Sequence, residues 1–271
     1  MPQMANNVLS ENWLLKELGD LHWKLLSGGI EQNSSEFKDE MGNRLYATFI
    51  RICYSLSNLK SFQENEKIGF LGSIKRFGNS TYLSQIDGKS ENHFIRANLM
   101  TTFSVRSSDD NSKIQKSNPV EKINHIEEIV TVPDFLSDYR LLRKTLIDEW
   151  KLSEFTFPIP RDVIFQANYS INPYYEINGV GLLYFAVYPV ISDFCTINFY
   201  KNRFGNNDWL KKFQTTHRDI NYFANCNAED KIVFCLNFFE EKDSSIKTVT
   251  TLYRQSDKTM LAKIFTVKQH L

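Results

Sequence analysis

Asn178-Gly179-Val180-Gly181 stands just ahead of the apolar run LLYFAVYPVI and reads as a strand-to-helix junction. Glycines at such a place let a ligand approach the backbone. The N–H groups of a helix start, aided by the positive end of the helix dipole, hold developing negative charge at little cost. Leu9-Ser10-Glu11-Asn12 is a second helix start, where Ser10 suits the N-cap position and Asn12 offers side-chain donors. His22 shares an apolar helical face with Leu15, Leu18 and Leu25, so it is either a hydrogen-bonded core histidine or a proton donor near neutral pKa. Asp193 lies in the apolar stretch VISDFC, where an unpaired buried carboxylate is costly, so it faces solvent, caps a backbone group or belongs to a site. Asp20 is another carboxylate on a predicted helix, and Tyr46 sits on a predicted strand as a packing residue or as a donor to an oxyanion.

The four cysteines, Cys53, Cys195, Cys226 and Cys235, form no CxxC pair and none stands at metal-ligand spacing from a histidine. They read as buried free thiols, and no metal site is expected. Hydrophobic residues make up 42% of the 271 and charged ones 24%, enough for a sizeable core without disulfides. Lys plus Arg and Asp plus Glu both total 32, so no global field favours nucleic acid or an anionic membrane. The first residues lack a basic segment followed by an apolar one, and no run reaches the roughly 18 apolar residues of a membrane span. A cytoplasmic location is the expectation.

These residues need elements to hold them. Leu14, Leu15, Leu18, His22, Leu25 and Leu26 recur at spacings of three and four and predict a helix over 11–26. Gly19 in its middle costs about 1 kcal/mol of helix propensity, which points to close approach by a packed neighbour, a sheet being the candidate. RLYATFIRICYSL predicts a strand over 44–54, and three more strands follow between Phe62 and Arg106. Residues 107–119 read as a polar loop, and Phe135, Tyr139, Leu142, Leu146 and Trp150 form one helical stripe after Pro133. The second half repeats the order, because ENEKIGFL (64–71) parallels AEDKIVFC (228–235) and IRANLMTTFSVR (95–106) parallels MLAKIFTVK (260–268). The pattern fits a duplicated helix-and-sheet unit or a less regular α+β fold.

The segments LSENWLLKELGDLHW (9–23), GNRLYATF (42–49), NPYYEINGVGLLYFAVYPVISDFC (172–195), NYFANCNAEDKI (221–232) and LYRQSDKTMLAKIFTVK (252–268) resemble a family of biosynthetic proteins. Its described member is the bifunctional acyltransferase/decarboxylase of leinamycin polyketide biosynthesis. The resemblance implies an α+β double hotdog, with helix-wrapped antiparallel sheets at 1–130 and 155–271 joined by a connecting helix and linker at 131–154. It implies that a methylmalonyl- or malonyl-type group is taken from CoA, decarboxylated and delivered to the phosphopantetheine arm of an acyl carrier protein, with no tightly bound cofactor. Tyr46 matches the proposed acyl-carrying tyrosine of that family. In this reading Asn178, Gly179, Val180 and Gly181 hold the thioester oxygen, His22 protonates the enolate, and Ser10, Asn12 and Asp193 contact substrate. Carrier proteins are acidic, so Arg140, Arg143 and Lys144 are docking candidates.

Three other readings use the same residues. A thioesterase needs the same oxyanion donors and a positioned water. A dehydratase would pair His22 with Asp193 across the halves, although no histidine carries the HxxxGxxxxP pattern. A non-catalytic carrier-binding module would keep only the shell. A deep cavity lined by Tyr46 and Asn178 marks the enzyme, and a filled interior marks the module.

Overall fold

The computed structural model describes residues 3–106, 110, 113–120, 125–205, 209–242 and 244–270. A short hairpin, β1 (Met4–Ala5) and β2 (Val8–Leu9), leads into the long helix α1 (Glu11–Ile30). Then come β3 (Tyr46–Leu56), β4 (Gly69–Phe77), β5 (Thr81–Lys89), β6 (Phe94–Arg106) and β7 (Ile114–Lys116). After α2 (Asp134–Arg143) and the hairpin β8 (Glu149–Leu152)–β9 (Phe155–Pro158), the second half runs through β10 (Phe165–Ser170), α3 (Pro173–Glu176), α4 (Tyr188–Phe204) and α5 (Trp209–Lys212). It closes with β11 (Phe213–Tyr222), β12 (Lys231–Lys242), β13 (Ser245–Arg254) and β14 (Met260–His270).

Ten of these strands form one antiparallel sheet in the order β10-β12-β13-β14-β11-β3-β6-β5-β4, with β7 added on β6. Each half therefore has the same plan: a helix, a central strand, and a three-stranded meander whose last strand returns beside the central one. The two repeated sequence pairs fall at matching places, leading into β4 and β12 and forming β6 and β14. The halves join where β3 meets β11, from Ser55 opposite His217 to Arg51 opposite Asn221. A buried ion pair clamps that seam. Arg51 donates from Nε and Nη2 to the Asp219 carboxylate at 3.1 and 2.7 Å, and from Nη1 to the Phe135 carbonyl on α2. Trp150 Nε1 of β8 donates to the same carboxylate at 3.1 Å.

The helix α1 packs on β4, β5 and β6 of its own half. Its Leu14, Leu15 and Leu18 belong to the core that also holds Ile191, Cys195 and Phe199 of α4, and Leu26 packs with Phe37, Tyr82 and Phe103, so the apolar stripe read from the sequence is buried. The close approach foreseen at Gly19 is real, but its partner is not a sheet: a Cβ there would overlap the Phe185 ring, which arrives from a 3-10 turn at Phe185–Val187. The connecting helix is shorter than its stripe predicted. It ends at Arg143, Leu146 is exposed, and Trp150 lies on β8, because Thr145 takes a left-handed φ of 55° and turns the chain. Within the expected loop at 107–119, Ile114–Lys116 pairs with β6, while 107–109, 111 and 112 lie outside the described residues. Cys195, Cys226 and Cys235 are buried thiols and Cys53 is half-buried. Among the described residues, no helix is long and apolar enough to cross a membrane.

Candidate active site

The seam splits at one end. Beyond Asn221 opposite Arg51, β3 continues to Tyr46 paired only with β6, while Phe223 and Ala224 turn away to donate to the Leu261 carbonyl at 2.8 and 3.4 Å. The gap is a cavity of about 520 Å³ between the halves, within the usual size of a ligand site. Its first-half wall comprises Gly19 and Asp20 of α1, Tyr46, Thr48 and Phe49 of β3, and Thr102 and Ser104 of β6. The second half contributes Asn178, Val180, Tyr184, Phe185, Tyr188, Tyr222 and Asn225, and α2 supplies Tyr139 and Arg143. Tyr139 and Tyr222 spend their hydroxyls on the carbonyls of Tyr222 and Phe185, at 2.8 and 3.0 Å. Those bonds fix the deep end of the wall.

Tyr46 and the Asn178 loop, far apart in sequence, thus face one cavity. The Tyr46 ring carries two guanidinium groups, Arg44 at 5.2 Å and Arg106 at 5.3 Å from its centroid, an arrangement in which the cations are attracted to the π-face. Asn178 plays a different part from the one foreseen. Its Oδ1 accepts from the N–H groups of Val180 and Leu182, both at 3.0 Å, and Gly181 N–H donates to the Asn178 carbonyl at 2.9 Å. Asn178–Gly181 is therefore a self-bonded turn, with Gly181 at φ 79°, and the N–H groups expected to hold an oxyanion at Val180 and Gly181 are already engaged. Gly179 and Gly181 do not line the cavity. The helix start lies seven residues further on, at Tyr188, with no side-chain cap. Tyr184, Phe185 and Tyr188 bring that uncapped start to the cavity wall. Asn12 also differs from expectation, because its Nδ2 donates to the Ala186 carbonyl at 3.1 Å and so holds the 3-10 turn in front of α4.

Three further expected site residues lie elsewhere. Ser10 caps α1 by accepting from Trp13 N–H at 3.3 Å. His22 is wholly buried between Ser84 Oγ at 2.7 Å and Thr101 Oγ1 at 2.9 Å, and burial pushes its pKa down to about 3. It is a hydrogen-bonded core residue, favoured in its neutral form by burial, and it does not line the cavity. Asp193 accepts from Arg218 Nη2 at 2.9 Å and Lys268 Nζ at 3.0 Å. Burial alone would raise its pKa, and the two cations hold it below the usual range. Glu11 joins the same cluster through Arg218 and Tyr54. His22 and Asp193 thus keep separate partners, and the dehydratase dyad does not form.

Neither the family models nor the curated proteins match this sequence. Solved structures match over the whole length. A Lactobacillus plantarum protein assigned as an oleoyl thioesterase superposes with a TM-score of 0.70 at 6% identity, covering 99% of this chain and 92% of that one. The acyl-ACP thioesterase of Bacteroides thetaiotaomicron gives 0.64 at 10% identity, over 98% and 93%. The 12:0-ACP thioesterase of Umbellularia californica gives 0.62 at 8%, over 100% and 94%. The fold is a double hotdog. At such identities the likeness is one of fold, and function must come from the site. In this double hotdog the seam cavity also uses residues that periodicity could not single out. Asn225 accepts from Leu183 N–H at 3.1 Å and Cys226 N–H at 2.7 Å, which orients its amide at the wall. Arg44, Lys116 and Arg143 complete the rim. Arg143 is one of the basic residues read from the sequence, whereas Arg44, Lys116 and Asn225 come to the cavity only through tertiary placement and carry no local signal.

Proposed function

We propose that this protein acts on an acyl thioester carried by CoA or by the phosphopantetheine arm of an acyl carrier protein, and that its reaction is hydrolysis. The observation that carries this reading is the seam cavity of a double hotdog, with Tyr184, Phe185 and Tyr188 at the entry to α4 on its wall. The thioester oxygen becomes negative as a nucleophile adds to the carbonyl. Unsatisfied N–H groups and the dipole at a helix start stabilise that charge without reorganisation. Asp20 is the one carboxylate on the cavity wall among the described residues and is paired to Lys24 at 2.7 Å. It is the candidate to orient water. Arg143 at the rim suits an acidic carrier protein, and Arg140 and Lys144 extend that face.

A second reading, decarboxylating acyl transfer, is favoured by one feature: the wall has no histidine among its described residues, whereas Tyr46 stands on it. Tyr46 would then receive the acyl group. The two readings differ in the acceptor. Purified protein incubated with a panel of acyl-CoA and acyl-carrier thioesters, including methylmalonyl, with products identified by mass, separates them. Hydrolysis gives free acid in amounts independent of added holo-carrier. Acyl-carrier product with loss of carbon dioxide would replace hydrolysis by transfer, and no turnover of any thioester would end both.

A further inference from the structure

One face of the first-half sheet holds cations that have no carboxylate counter-ion among the described residues. Tyr46 lies opposite Ser104 and Thr48 opposite Thr102 in the β3–β6 ladder, and Ser104 lies opposite Lys116 in the β6–β7 ladder. Side chains two apart on a strand share a face, so Thr102, Ser104 and Arg106 line up with Tyr46 and Lys116. Buried polar atoms are almost always hydrogen-bonded. Yet Thr102 Oγ1 and Arg106 Nε and Nη2 are buried with no hydrogen-bond partner among the described residues. Elsewhere four buried cations are ion-paired, Arg51 with Asp219, Arg218 with Glu11 and Asp193, Lys268 with Asp193 and Arg254 with Asp257, and the fifth, Lys263, donates to the Thr251 hydroxyl at 3.0 Å. Among the described residues, Arg44, Arg106 and Lys116 have no carboxylate within ion-pair distance. Asp20, on the α1 wall, is held by Lys24.

We infer that Arg106, Lys116 and Arg44, with the hydroxyls of Thr102 and Ser104, form a subsite for an oxyanion borne by the substrate. This rests on the reading of the cavity as a thioester site and specifies its charge. The same chemistry suits the phosphate of a pantetheine arm or a carboxylate on the acyl group. A bound oxyanion supplies acceptors to the unpaired Arg106 donors and the Thr102 hydroxyl, which removes the cost of burying them unpaired.

Calorimetric binding to the full chain tests this without turnover, using non-hydrolysable thioethers: S-butyl-pantetheine, its 4′-phosphate, and S-(3-carboxypropyl)-pantetheine. The anionic member that carries the natural charge binds about tenfold or more tightly than the neutral thioether, as a charge-assisted hydrogen bond supplies. Whichever anion gains identifies the source. In Arg106→Gln and in Lys116→Gln the gain shrinks towards one while affinity for the neutral thioether holds. Lys116 is exposed, so its variant keeps the fold. Equal binding of all three thioethers, equal weakening of all three by the variants, or no binding would overturn the subsite. Thioester turnover with no preference for charge sinks the subsite alone, and charge-dependent binding without turnover sinks the enzymatic reading alone.

Discussion

Acid should unfold this protein earlier than its carboxylates require, and His22 is the reason. Its ring is neutral in the fold, with the pKa lowered from 6.5 to about 3 by burial, while the unfolded chain takes up a proton near the ordinary value. A depressed histidine contributes stability that is complete above its unfolded pKa and is lost as pH falls through the window towards the folded one. With those two values the loss is about 0.8 kcal/mol at pH 6 and about 2 kcal/mol at pH 5. His217 is shifted in the same direction by burial and adds a smaller share. Asp39, Asp193 and Asp257 have lowered pKa values, so their contributions fade only below about pH 4. Urea unfolding followed at pH 8, 7, 6 and 5 should show a falling midpoint at constant m. In His22→Gln the starting stability is lower, because Ser84 and Thr101 lose a partner, and the slope between pH 7 and 5 is much flatter. A flat profile for the natural chain, or the same slope in the variant, refutes the argument.

Gly19→Ala adds about 1 kcal/mol of helix propensity but pushes into Phe185, and overpacking costs about 1–3 kcal/mol. The melting temperature should fall, and Phe185→Leu in the same chain should recover it. Asp219→Ala strands the buried Arg51 charge and should cost about 3–5 kcal/mol by denaturant titration, whereas Arg51→Met with Asp219→Leu costs much less.

The helix α1, the strands of both meanders and their duplication were legible because each rests on local periodicity: Leu14, Leu15 and Leu18 at helical spacing, and the EKI and DKI segments leading into β4 and β12. The misreadings were of residues whose roles are decided by partners distant in sequence. His22 on an apolar face reads alike whether it serves a site or a core until Ser84 and Thr101 arrive from two strands. Asp193 looked anomalous because Arg218 and Lys268 are invisible to a local reading. Asn178–Gly181 was recognised as special, and it does reach the cavity, but an Asn-Gly turn that bonds to itself and a helix start that offers N–H groups share the same residue types. Tyr46 and Asn178 came together as expected. Arg143 was among the basic residues read from the sequence, but Arg44, Arg106 and Lys116 were not, because they come near Tyr46 only through the β3, β6 and β7 pairing.

The β3–β11 seam also sets an order of assembly. Its clamp joins residues 168 apart in the chain, so every first-half contact is available long before the seam can close. At ordinary synthesis rates of about 5–20 residues per second, the β3 edge waits roughly 10–30 s for β11 to emerge. For that interval the nascent chain presents an unpaired strand flanked by core residues, the kind of edge that templates association with other chains. The cavity cannot close before this strand is placed, since Tyr222 on β11 and Phe223, Ala224 and Asn225 just after it complete the second-half wall.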